Sequence, residues 1–423
     1  MNQPRLLPVL FALLALALLA SCSRSTFEPH ELQGSPAMVA DNGQPRLWVL
    51  SKQEERRMVG IGRGRQASGW RTDTFFHFRV QAFDPAAARL LWEQTVLTLG
   101  DPAASGSTSR VLGSASGGRL LGQQGDRVWL LVDGQPIALS ADDGERIADV
   151  ARIEQDNPAL KGLLPVEAQF YGFDRGLMFM STDGRRFVIR GSTFKAEPYA
   201  PPAPVAQKPL LKANGSPVIV PLRAVGREPA RQVHLGGQWL GLYSEKEAAD
   251  ASDDARGEHL RWPYTVIDEG GLARRGFWRA RIERVQRFEE NFERLEALAP
   301  VADAPFFLNG RFLENMATGQ PLVLDAPASV LVWHRTRIDR EGRLALARVG
   351  ADLRPLWTAE LPLSESGTAN PVQFWVLPDR VVAMGNLETS VDGISGRAPR
   401  LVSVALADGS WRAWDMAKGA AVP

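Results

Sequence analysis

Apolar and polar positions along this chain alternate in short runs. Phe75 to Phe83 alternates, and Leu90 to Leu97, Arg119 to Gln123, Val128 to Val132 and Pro136 to Ser140 follow as runs of strand length. Such runs, rich in β-branched and aromatic residues and bounded by turn residues, predict β-strands. Asp126, Asp133-Gly134, Asp142-Asp143-Gly144 and Asp183-Gly184 stand at the expected turns. There Asp supplies side-chain hydrogen bonds and Gly a positive φ. The rhythm continues through Ala168 to Phe173, Gly176 to Ser181, Phe187 to Arg190, Gln238 to Tyr243, Val330 to Arg337 and Leu344 to Val349, and ends with Trp411 to Met416.

Two stretches depart from it. Ile282, Val285, Phe288, Phe292, Leu295 and Leu298 recur at helical spacing, Glu283 with Arg287 and Glu290 with Arg294 are spaced for i,i+4 ion pairs, and Pro300 follows. That pattern predicts one inserted helix. It lies in a helical and loop insertion of about 244–300, whose first part, Ser244 to Gly257, is acidic and rich in small residues. The other departure is Ser23 to Gln44, small and polar without period, expected to be a flexible tether over 22–44. Tyr199 to Pro204 is Pro-rich and is expected to be a long loop between units.

One phrase returns. Ala82-Phe83-Asp84 through Trp92 aligns with Ala138-Leu139-Ser140 through Ala148, where Gly144 stands in place of Ala88. Ala347 through Trp357 has the same length, and Val404 through Gly409 to Trp414 is a fourth, altered copy. Trp92 to Ala148 is 56 positions and Trp357 to Trp414 is 57. A four-stranded unit repeating at this period predicts a β-propeller over 45–416, with 417–423 as a tail. The fold class expected is therefore all-β, about seven irregular four-stranded blades, six to eight being compatible, with the one inserted helix.

The phrase resembles the PQQ-like propeller repeat, whose blade ends in Ala-Leu-Asp-x-x-Thr-Gly-x-x-x-Trp. Asp84, Trp92, Gly144, Trp357, Gly409 and Trp414 occupy its marked positions. The resemblance implies that Asp caps the turn, Gly takes positive φ and Trp fills the space between blades. It does not carry catalysis here. Quinoprotein dehydrogenases of this fold use a vicinal Cys pair, and this chain has one Cys. No cofactor-binding or metal residue is carried over. Lipid-anchored, non-enzymatic members of the family, which act as scaffolds, are similar in architecture.

The N-terminus sets the compartment. Arg5 precedes an apolar run from Leu6 to Ala20, too short for a bilayer span of about 20 residues. It ends in Leu19-Ala20-Ser21-Cys22. This resembles a bacterial lipoprotein signal, which implies a signal peptide at 1–21, lipidation of Cys22 and attachment of the body to a membrane. In Gram-negative lipoproteins an Asp after the Cys retains the protein at the inner membrane. Ser23 stands there instead, so the resemblance implies the outer membrane, with the body on its periplasmic face.

Charge excludes one class of partner. The 49 basic residues less Arg5 leave 48, against 48 acidic ones. A neutral body has no broad electrostatic reason to bind nucleic acid. The sequence also lacks a catalytic constellation. His30, His77, His234, His259 and His334 show no metal-pair spacing, and Ser192-Thr193-Phe194-Lys195 lies in an expected strand rather than at a helix start. Gly60-Ile61-Gly62-Arg63-Gly64-Arg65 lacks the Gly-Lys-Ser/Thr ending of a phosphate loop and reads as a basic hairpin tip. The expectation is an envelope module that binds or scaffolds a protein partner, in unknown oligomeric state. The alternatives are a propeller hydrolase or lyase with a channel-centred site, and a glycan or small-molecule binder.

Overall fold

A computed structural model describes residues 23–61, 69–100, 117–191, 193–200, 219–220, 232–248, 273–287, 290–315, 320–325, 327–339, 341–364, 372–391 and 394–423. It is all-β, built almost wholly of antiparallel pairs, with two of its sheets simple four-stranded meanders. The chain divides into two compact units. The first holds residues up to 85 and 89–202, the second 86–88 and 203–423, so the division falls in the Pro-rich stretch.

In the first unit, β1 (Ser23–Phe27), β2 (Glu31–Leu32) and β3 (Ala37–Asp41) all pair with β4 (Gln44–Ile61), which pairs with β5 (Gly69–Asp84) and through it with β6 (Arg89–Leu99). The tether expected at 22–44 is therefore corrected from Ser23 onward: that stretch is the antiparallel partner of β4. β3 covers Gln44 to Trp48, β2 covers Ser51 and Lys52, and β1 covers Glu55 to Val59. The reversal is Asn42-Gly43, both at positive φ (47° and 78°). Asn-Gly is a strong two-residue hairpin signal, and the polar residues around it hid the strands.

The second sheet is a meander of β7 (Gly118–Gln124), β8 (Arg127–Val132), β9 (Gln135–Ser140) and β10 (Arg146–Ala148). The helix α1 (Val150–Asp156) follows, with Asp149 Oδ1 accepting from the Arg152 amide at 3.0 Å. The third sheet is β11 (Tyr171–Phe173), β12 (Leu177–Met180), β13 (Arg186–Ile189) and β14 (Ala196–Pro198).

Burial explains why β8 reads as an unbroken apolar run. Val128, Leu130 and Val132 pack with Trp48, Leu50, Phe78 and Val80 of the first sheet. Trp129 and Leu131, on the other face, pack with Tyr171, Leu177, Phe179 and Ile189 of the third. A strand covered on both faces has no polar face to show.

The second unit repeats the device. β15 (Ile219–Val220), β16 (Gln232–Leu235), β17 (Gln238–Tyr243), β18 (Arg274–Arg287), β19 (Glu290–Pro300) and β20 (Phe306–Phe312) share a sheet with β23 (Val323–Asp325), β24 (Ala328–Arg335), β25 (Leu344–Gly350) and β26 (Pro355–Glu360). β21 (Glu314–Asn315) and β22 (Gln320–Pro321) form a small pair. β27 (Gln373–Val376), β28 (Arg380–Val391), β29 (Ile394–Ala405), β30 (Trp411–Asp415) and β31 (Ala420–Val422) are the last meander. Val330, Val332, Ala347 and Val349 pack toward Leu240, Leu242, Phe277 and Phe307. Leu331, Leu344 and Leu346 pack toward Val381, Ala383, Val402 and Val404. The expected tail at 417–423 contains β31, paired with β30.

The helix expected at Ile282 to Leu298 is a β-hairpin. β18 and β19 pair Ala280 with Leu298, Ile282 with Leu295, and Val285 with Phe292. The charged residues also fall opposite one another, Glu283 with Arg294 and Arg287 with Glu290. Apolar residues spaced symmetrically about a reversal imitate a helical period. Opposite charges across strands stabilise a ladder as i,i+4 pairs stabilise a helix.

Candidate functional site

The repeated phrase builds the joints between neighbouring sheets. Asp84 ends β5 opposite Arg89, and Ala88 takes φ 47° in the turn between them. Gly144, Leu353 and Gly409 occupy the same left-handed turn position at φ 73°, 63° and 74°. Trp92 leaves β6 and lies against the turn of the second sheet. A Cβ on Gly144 would sit 2.5 Å from its ring, and Trp92 Nε1 donates to the Asp142 carbonyl at 3.0 Å. Trp48 meets the same ring edge-on at 4.8 Å. In the second unit, Trp357 lies against Gly409, where a Cβ would be 2.7 Å from its ring, and its Nε1 donates to the Leu406 carbonyl at 2.9 Å. Arg348 Nη1 donates to that same carbonyl at 2.8 Å, and its Nε donates to Ser329 Oγ. Trp414 stands on β30 opposite Leu401, half-buried. Ala148, where the second copy lacks Trp, is buried on β10 opposite Ala138.

Cys22 lies outside the described residues, as do His259, Ser192 and 62–68. The other histidines are dispersed. His30 faces Ser51 Oγ, His234 meets the Trp239 ring and His334 the Phe307 ring. The acidic stretch after Ser244 begins as a short helical turn over 245–248, closed by reciprocal bonds between Ser244 and Glu247. This is a capping box. Glu247 also accepts from Arg275 at 2.7 and 2.9 Å, tying the turn to β18.

His77 belongs to a polar ladder across four strands. Ser25 of β1 donates to Glu55 Oε1 of β4 at 2.7 Å, and His77 Nε2 of β5 donates to Glu55 Oε2 at 2.9 Å. His77 Nδ1 faces Thr98 Oγ1 of β6 at 3.1 Å. Arg57 Nη2 adds a donor to Glu55 Oε1 at 2.9 Å and lies over the Phe75 ring. Burial alone would raise the Glu55 pKa. The bonds from Ser25, His77 and Arg57 and the Arg57 charge outweigh it and hold the group at about 2. This ladder closes the root of an arm in which β1, β4 and β5 run on together. β4 and β5 stay paired out to Ile61 and Gly69, whereas β6 accompanies β5 only as far as Phe76.

The third sheet carries a cleft of about 300 Å³. Tyr171, Phe179 and Phe187 stand side by side on three strands and form its floor, with ring centroids 6.3 and 5.6 Å apart. Phe170, Met178, Met180 and Tyr199 line it with Gln169, Gly172 and Arg186. Tyr171 donates its hydroxyl to the Pro165 carbonyl at 2.8 Å, and burial pushes its phenol upward. The lining contains one cation and no carboxylate. Sequence reasoning placed these strands but missed the cleft. The available signal was density: two of the four Tyr in the chain, Tyr171 and Tyr199, fall in one 30-residue stretch beside Phe170, Phe179 and Phe187.

No family model and no curated protein matches the chain. Among solved structures, extracellular domains 1–2 of Drosophila Semaphorin 1b are 13% identical, over 68% of this chain and 52% of that one, with a TM-score of 0.18. Drosophila Plexin A in complex with Semaphorin 1b gives 12%, 68%, 51% and 0.19. The chain thus spans about half the length of the solved chains it matches, and at these TM-scores the likeness carries no argument about function.

Proposed function

We propose that this chain is a lipoprotein of the bacterial envelope. Acylated Cys22 holds it on the periplasmic face of the outer membrane, and its body binds a protein partner through the cleft of the third sheet. The anchor reading rests on Leu19-Ala20-Ser21-Cys22 behind a short apolar run. The observation that carries the binding reading is the cleft itself. Aromatic, Met and Arg side chains are the types enriched at the centres of protein interfaces, and here they converge on one concavity. Met adapts to irregular apolar surfaces, and rigid rings supply contact area at low entropic cost. The occupant that fits is an extended segment of an envelope protein, with apolar side chains on the floor and a carboxylate at Arg186.

The test is a photoreactive residue at Phe170 in the full chain, irradiated in intact cells, with Gln44 as control. A discrete crosslinked protein from position 170, absent at 44 and lost when Tyr199→Asp is added, supports the reading. Identical patterns at the two positions, or none at 170, contradict it.

A further inference from the structure

β18, β20 and β24 lie side by side in the second unit, and their registers set Arg274, Leu308 and Arg335 in one cross-strand row. Beside that row Gly276 stands opposite Phe306 and, past an irregularity in β20, Arg311 stands opposite Trp333. Directly opposite residues share a face of a sheet. The alternate residues take the other face, where Phe277 and Phe307 enter the core and Arg275 is bound by Glu247. The row therefore looks away from that core. Arg274 is exposed, and its guanidinium lies 3.5 Å from the centre of the Phe306 ring, itself 56% exposed. Arg311 lies over the Trp333 ring at 5.4 Å. We infer that this face of the second unit binds an acidic, extended segment of a partner protein, in which two carboxylates flank an apolar residue.

The charge on this face is unanswered. Among the described residues no carboxylate pairs with Arg274, Arg311 or Arg335. Arg335 donates to the carbonyls of Arg337 and Asp339. The neighbouring acids are already taken: Asp339 and Glu341 pair with Arg337, and Glu360 with Arg343. Three cations thus stand together on a chain whose basic and acidic residues nearly balance, 49 against 48. A guanidinium stacked on a ring keeps its N–H edge free to grip a carboxylate through two bonds. Arg274 and Arg335 are two strand spacings apart, about 10 Å. In an extended segment an acid, an apolar residue and an acid at positions i, i+2 and i+4 cover about 13 Å. The flexible arginine side chains reach both acids, and the middle residue falls on Leu308 and the Phe306 ring. Cations alternating with apolar contacts at residue spacing suit a peptide better than a layer of lipid phosphates, to which Leu308 and Phe306 offer nothing.

The probe is a rhodamine-labelled peptide, Ser-Glu-Ser-Leu-Ser-Glu-Ser, titrated with the full chain in non-ionic detergent and followed by fluorescence anisotropy. The dissociation constant should rise about tenfold or more in Arg274→Gln with Arg335→Gln, and severalfold in Arg274→Lys, whose ammonium has no fork. Should the double variant fail to fold, Phe306→Ala, which removes the ring under Arg274, should weaken binding about threefold. Binding should also weaken as sodium chloride is raised to about 0.5 M. A peptide with Lys in place of Glu should not bind. Equal affinity in the native chain and the folded arginine variant overturns the inference, as does equal affinity for the Lys peptide. Binding of phosphatidylglycerol vesicles without binding of the peptide overturns it in favour of a lipid surface. Tyr199→Asp, in the cleft of the first unit, should leave the titration unchanged. A tenfold loss there would place the peptide at Arg186 and overturn the inference while leaving the cleft reading intact.

Discussion

Gly144 and Gly409 each stand 52 positions after the tryptophan they meet, Trp92 and Trp357. In both, a side chain would have to enter the indole ring while the backbone holds a left-handed φ. Gly144→Ala is predicted to cost about 2–4 kcal/mol, the sum of a left-handed L-residue and an overpacked contact. Chemical denaturation measures it. Adding Trp92→Leu should recover part of the loss, so that the double mutant falls short of additivity. The positions of Gly and Trp were legible in the sequence, since the phrase repeats. Their pairing across sheets was not, because motif alignment compares copies with one another and not one copy with the next one's turn. Ala88 and Leu353 show why the weaker copies still work: the backbone keeps the left-handed position without Gly. Glu55 makes a second prediction. Its folded pKa of about 2 lies below its ordinary 4.5, so the stability it contributes is present above pH 4.5 and is lost as pH falls toward 2. Unfolding free energies from pH 6 to pH 2 should fall across that window in the native chain and less steeply in Glu55→Gln. Equal slopes would contradict the role of the ladder.

Among the elements, strands covered on both faces were the most legible, because β8 and β25 are short apolar runs between turn residues. The β18–β19 hairpin was misread for a physical reason. Its apolar residues satisfy a spacing of three and four, and its charges satisfy i,i+4, as well as they satisfy a symmetric hairpin. Symmetry about 288–289 was the discriminating signal. The N-terminal strands were missed because they are short and polar, and only Asn42-Gly43 announced them. Ile282→Cys with Leu295→Cys tests the hairpin directly. In a helix these positions would lie about 20 Å apart, whereas opposite strand residues lie within about 5.5 Å. Mild oxidation should form the disulfide in the folded protein. Thiols that stay free would restore the helix.

For the molecule as a whole, the all-β class was legible in the sequence, while the cleft of the third sheet was not. Its lining comes from three strands and their flanking segments within 169–199, so its signal was a local density of aromatic residues and not a motif. The envelope reading depends on the chain being anchored through its N-terminus. Intact mass spectrometry of the protein extracted from native membranes tests that claim most directly. A mature chain beginning at Cys22 and carrying the added mass of acyl chains is the predicted result. A chain that keeps its first 21 residues, or one cleaved elsewhere and bearing no lipid, would contradict it.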